Sequence, residues 1–95
     1  MKEPPQIPTR FALYQNFPNP FNPTTTIRYG LPEASHVLLR VYDVLGREIA
    51  TLVDAHETAG VHEVGFGASR LASGMYFYRI EASGFAEVMK MVLAK

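Results

Sequence analysis

The sequence predicts an all-β chain folded as an Ig-like β-sandwich of about seven antiparallel strands. Three observations lead there. Apolar and polar residues alternate with period two from Thr24 onward. Turn-forming Gly, Pro, Asn, Asp and Ser interrupt that alternation about every 8–12 residues. No stretch reads as a helix of ordinary length. A sheet with one apolar face must bury it, and here the partner is a second sheet.

Residues 1–10 hold three prolines among mostly polar neighbours and read as an extended linker; the domain occupies 11–95. Phe11–Tyr14 is a short first strand. Asn16-Phe17-Pro18-Asn19-Pro20-Phe21-Asn22-Pro23 cannot continue it, because each proline removes a backbone donor and holds its predecessor extended. A rigid loop is expected, its Asn side chains bonding nearby backbone and Phe17 and Phe21 plugging the edge of the core. Thr24–Leu31 is a strand with Ile27, Tyr29 and Leu31 on one face, and His36–Tyr42 is another with Val37, Leu39 and Val41 inward. Asp43-Val44-Leu45-Gly46 is a turn in which Asp43 caps the amides and Gly46 supplies the positive φ of a G1 bulge. Arg47–Val53 returns as the hairpin partner, and Asp54–Gly60 is expected to be a polar connection ending in a left-handed glycine. Val61–Phe66 and Met75–Ala82 are strands, with Tyr76, Tyr78 and Ile80 sharing a face of the second. Gly67–Gly74 between them is a loop of at most one helical turn, and Ser83-Gly84 is a tight turn before the last strand, Phe85–Leu93.

Bulk composition narrows the function. Hydrophobic residues make up 47%, enough for one thin core. Nine Lys and Arg balance nine Asp and Glu without a basic cluster, which argues against nucleic acid. The absence of cysteine excludes disulfides, thiol catalysis and Cys-based zinc sites. No run approaches the roughly 18 apolar residues of a membrane span. The N-terminus lacks the apolar core of a signal peptide, so export would need a signal elsewhere in a longer parent chain.

Chemistry is sparse. His56 and His62 lie near Asp54, Glu57 and Glu63, but no HExxH spacing aligns two imidazoles, so they read as solvated residues. Ser69 and Ser73 lack a GxSxG elbow, and no P-loop or GxGxxG turn occurs. No catalytic residue, metal ligand or cofactor site is expected, and the chain does not read as an enzyme. The aromatics Tyr14, Phe17, Phe21, Tyr29, Tyr42, Phe66, Tyr76, Phe77, Tyr78 and Phe85 could include an exposed sugar-stacking platform, although most of them are needed to fill a core without Trp. Tyr76, just inside a strand after a glycine turn, fits a tyrosine corner whose hydroxyl bonds upstream backbone.

Four motifs occur in order: Asn16–Pro23, Val41-Tyr42-Asp43-Val44-Leu45-Gly46-Arg47, Ser73-Gly74-Met75-Tyr76-Phe77-Tyr78-Arg79, and Lys90-Met91-Val92-Leu93-Ala94-Lys95. Together they resemble the C-terminal sorting domain of type IX secretion cargo, the Por secretion tail, itself related to the Ig-like domain of the flagellar hook-capping protein. The resemblance covers essentially Phe11 to Lys95. It implies a tail on a larger cargo protein in a Bacteroidetes-type bacterium. Such tails are exported to the periplasm, recognised by the outer-membrane translocon and commonly removed by a sortase-like peptidase, leaving cargo on the surface or in the medium. The family's Gly-x-Tyr matches Gly74 and Tyr76, and its terminal strand matches Lys90, Val92 and Lys95; these are the candidate signal residues, with Asp43 and Gly46 as structural turn residues. If Phe85–Leu93 lies at a sheet edge, its free backbone could dock a partner strand or a second copy, while Lys90 and Lys95 discourage indiscriminate pairing. Competing readings are a structural or adhesive Ig-like module of the hook-capping type, and a carbohydrate-binding module.

Overall fold

A computed structural model describes residues 7–95; most of the expected linker, residues 1–6, lies outside them. Seven strands follow in order: β1 Ala12–Leu13, β2 Thr24–Leu31, β3 Ser35–Tyr42, β4 Glu48–Glu57, β5 Gly60–Gly67, β6 Gly74–Ala82 and β7 Phe85–Leu93. They form two antiparallel sheets, β1-β2-β5 and β4-β3-β6-β7. No helix occurs among the described residues. The fourth strand pairs with the third, so the chain departs from the constant-type Ig partition, in which it joins the other sheet.

Side-chain alternation explains the layering. Ile27, Tyr29 and Leu31 of β2 face Val37, Leu39 and Val41 of β3, together with Tyr76, Tyr78 and Ile80 of β6 and Met91 and Leu93 of β7, and all are buried. One residue of slip in any strand would turn its apolar set to water, so the core itself holds the register. Phe66 and Phe21 close one end of the core, their rings 6.1 Å apart. Phe11 and Phe85 stack at 5.6 Å near the other end.

Several expectations need correction. The first strand is only Ala12–Leu13. β4 does not stop at Val53 but runs on through Asp54–Glu57, because Ala55 and Glu57 pair with Val37 and Ser35 and extend the ladder. Gly60 then begins β5 at φ 134°, a positive value outside the left-handed helical well. Phe17 does not plug the core; it is 80% exposed, and Phe21 alone is buried. Phe17 is bonded through both backbone groups to Thr26, which fixes the chain there and leaves the ring in solvent.

Candidate functional site

The two ends of the sandwich differ. At one pole lie the Asn-Pro loop, the β3–β4 turn, the β5–β6 connection and the end of β7, so the four motifs meet there. The opposite pole carries the β2–β3, β4–β5 and β6–β7 turns. The N-terminal segment enters on that side, with Ala12 paired to Gly30. Pro8 lies so close to Gly30 that a Cβ there would sit 2.9 Å from the proline ring.

The β3–β4 turn is built around Asp43. Its Oδ1 accepts the amides of Leu45 and Arg47 at 2.9 and 3.0 Å, and its Oδ2 accepts Arg47 Nε at 2.7 Å. Gly46, at φ 81°, donates its amide to the Asp43 carbonyl. Burial pushes the Asp43 carboxyl up, but the bonds from Arg47 and Leu45 outweigh this and hold it below the usual carboxylate value. Because this clasp consumes the polar groups, Val44 and Leu45 stand at the apex, 65% and 74% exposed.

Beside the turn, Gly74 takes φ 149° where the chain enters β6. The Tyr76 hydroxyl donates to the Ala72 carbonyl at 2.7 Å, the upstream bond of a tyrosine corner, and Tyr76 is buried. Gly74 pairs with Leu93 and Tyr76 with Met91, so Gly74 and Tyr76 adjoin the final strand. Lys90 and Val92 alternate away from the core while Met91 and Leu93 fill it. Lys95 donates its backbone amide to Ser73 Oγ at 3.1 Å and its Nζ to the Ser69 carbonyl at 2.7 Å. The structure therefore brings Gly74, Tyr76, Lys90, Val92, Lys95, Asp43 and Gly46 to one pole.

β7 is an edge strand, as the docking idea required, yet its terminal half is not open. The Phe21 amide donates to the Val92 carbonyl and the Phe21 carbonyl accepts the Ala94 amide. Asn19 Oδ1 accepts the Val92 amide at 2.9 Å, and Gln15 Nε2 donates to the Lys90 carbonyl at 2.9 Å. The Asn-Pro loop thus clasps the outer edge of the last strand. Loop asparagines were expected to bond nearby backbone, as Asn16 does to Pro18. The reach of Asn19 to a residue 73 positions away has no local signal.

The wider surface adds little chemistry. No group of three or more His, Asp or Glu side chains suited to a metal occurs among the described residues. His36 meets Asp54 at 2.7 Å and His62 bonds the Thr58 carbonyl, both at exposed positions. A groove of about 560 Å³ on the outer face of the smaller sheet is lined by Tyr14, Phe17, Val61 and the Arg28–Glu63 pair. No helix among the described residues is long and apolar enough to cross a membrane.

What these features define is a two-sheet β-sandwich whose four sequence motifs meet at one pole. Residues 15–94 match the family of secretion system C-terminal sorting domains, and the chain belongs to that family, the sorting domains of type IX secretion. No curated protein and no solved structure gives a significant match.

Proposed function

We propose that this domain is the address of a larger cargo protein, carried behind it and read by the outer-membrane type IX translocon from the pole where the four motifs meet. The observation that carries this reading is the polarity of the fold. Gly74, Tyr76, Lys90, Val92 and Lys95 gather at one end, and the N-terminal segment enters at the other. Cargo attached through that segment would leave the motif pole uncovered. A sortase-like peptidase would then remove the domain and release the cargo or anchor it at the cell surface. The domain acts as a signal, with no catalytic role, metal or cofactor of its own.

Fusion of the chain to a periplasmic reporter in a type IX-competent host tests this. Removing Met91–Lys95 would also empty core positions, because Met91 and Leu93 are fully buried. The cleaner deletion is Ala94-Lys95, both exposed. Export of the intact fusion and its loss on this deletion are expected; normal export of the deletion would refute the reading. The exposed rings of Tyr14 and Phe17 keep one second reading alive, a glycan platform, which requires that soluble glycans quench tyrosine fluorescence.

A further inference from the structure

We infer that the motif pole docks on an acidic protein surface through a rigid apolar knob, Val44-Leu45, ringed by cations; the inference rests on the sorting reading and specifies its partner.

The zero formal charge of the chain conceals a separation of charge. Around the knob stand Arg47 and Arg70, which with Val44, Leu45 and Gly74 line one concavity. Lys95 is tethered nearby through Ser69 and Ser73, and Lys90 lies one level up β7, opposite Phe77. The carboxylates at this end are Asp43 and Glu48, and each already faces an arginine, Arg47 at 2.7 Å and Arg40 at 3.3 Å. Arg70, Lys90 and Lys95 have no carboxylate partner among the described residues. Toward the opposite end lie Glu33, Asp54, Glu57 and Glu87, against which stand Arg10 and the His36 that meets Asp54. A partner approaching the motif pole therefore meets positive potential, which steers an acidic surface toward it and an approach from the other end away.

The knob supplies what charge alone does not. Two consecutive large apolar side chains sit at the apex of a turn whose backbone is fixed by two amide bonds to the Asp43 carboxylate, which also accepts the Arg47 side chain. Their exposure is thus paid in advance in conformational entropy, the condition under which a small anchor filling a pocket dominates an interface. A fluid anionic membrane suits this pole less well. Lipid-binding basic segments cluster about four to eight cations, whereas these cations are spaced around a rigid projection of two side chains.

The test uses the reporter fusion with three changes outside the terminal strand: Val44→Ser with Leu45→Ser, Arg70→Glu and Arg70→Lys. All three positions are exposed, so melting temperatures should match the parent. The double serine variant is expected to lower export about tenfold, the loss of one well-buried apolar anchor. Arg70→Glu should lower export while Arg70→Lys retains it, and Glu33→Lys at the far pole should export normally. Normal export of both the serine variant and Arg70→Glu, beside an exported parent, would overturn the inference and leave the sorting reading intact. Failure of the parent fusion to leave the cell would overturn both. Flotation of the 95-residue chain with phosphatidylcholine vesicles containing 30% phosphatidylglycerol, abolished by Arg70→Glu, would assign the pole to lipid and overturn the protein partner.

Discussion

Tyr78 ties β6 to the segment that joins β1 and β2. Its ring is fully buried, and its hydroxyl donates to the Tyr14 carbonyl at 2.7 Å while accepting the Asn16 amide at 2.8 Å. Burial pushes its pKa up to about 12, and nearby Glu87 adds to this while the bond from Asn16 opposes it. Tyr78→Phe leaves the buried Asn16 amide and the partly buried Tyr14 carbonyl without this partner, and a loss of about 1–3 kcal/mol is expected by urea denaturation with an unchanged m-value. The pH dependence follows in sign. The unfolded phenol ionises near 10 and the folded one only near 12, so the stability Tyr78 contributes is intact below pH 10 and is lost as pH rises toward 12. Tyr29, buried and donating to Glu57 Oε1, is raised as well and adds to the same alkaline loss. Asp43 works in the opposite direction. Its folded pKa is depressed, so its contribution is full above the ordinary carboxylate value and disappears as pH falls through the folded one. Asp43→Asn should flatten the acid arm of a pH–stability curve below about pH 4 and leave the alkaline arm unchanged.

At the element scale, β7 is an edge strand held on both sides, by β6 through a full ladder and by the Asn-Pro loop through Phe21, Asn19 and Gln15. Phe21 is the pin of that loop, its ring buried against Phe66. Phe21→Ala should cost about 3–5 kcal/mol, the range for truncating a buried aromatic. By hydrogen exchange the Val92 and Ala94 amides should lose protection ahead of the rest of the strand. Asn19→Ala removes one acceptor at an exposed site. It should cost only about 0.5–1.5 kcal/mol and affect Val92 selectively. Equal loss of protection along the whole of β7 in Asn19→Ala would show that the loop does not clasp the strand.

At the scale of the whole molecule, the clasp also governs association. The loop bonds Lys90 and Val92, and alternation turns the same backbone edge outward at Ala86 and Val88, which leaves a short run for another strand. The chain should therefore sediment as a monomer at about 100 μM. Gln15→Ala combined with Asn19→Ala should introduce concentration-dependent association through the uncovered edge. Analytical ultracentrifugation of the two proteins decides this, and identical behaviour would show that the edge is protected by something other than the loop.

Much of this fold could be read before any coordinates. Period-two alternation in β2, β3 and β6 assigns Ile27, Leu39 and Tyr78 to the core, and the Asp43–Gly46 and Ser83-Gly84 turns announce their hairpins, because side-chain direction and turn geometry are local properties of the chain. The boundary of β4 was not legible. Asp54 and His56 look like loop residues, and the partner strand β3 decides that they are not. Composition could not choose between Phe17 and Phe21 either; the same residue in the same Pro-rich context is exposed in one case and buried in the other, according to which meets Phe66. The four motifs were visible as strings, but their meeting at one pole, the clasp of Asn19 on Val92 and the separation of charge around Val44-Leu45 come from tertiary structure alone. Those contacts join residues dozens of positions apart, and a local pattern carries no information about which distant partner a side chain will meet once the two sheets have closed.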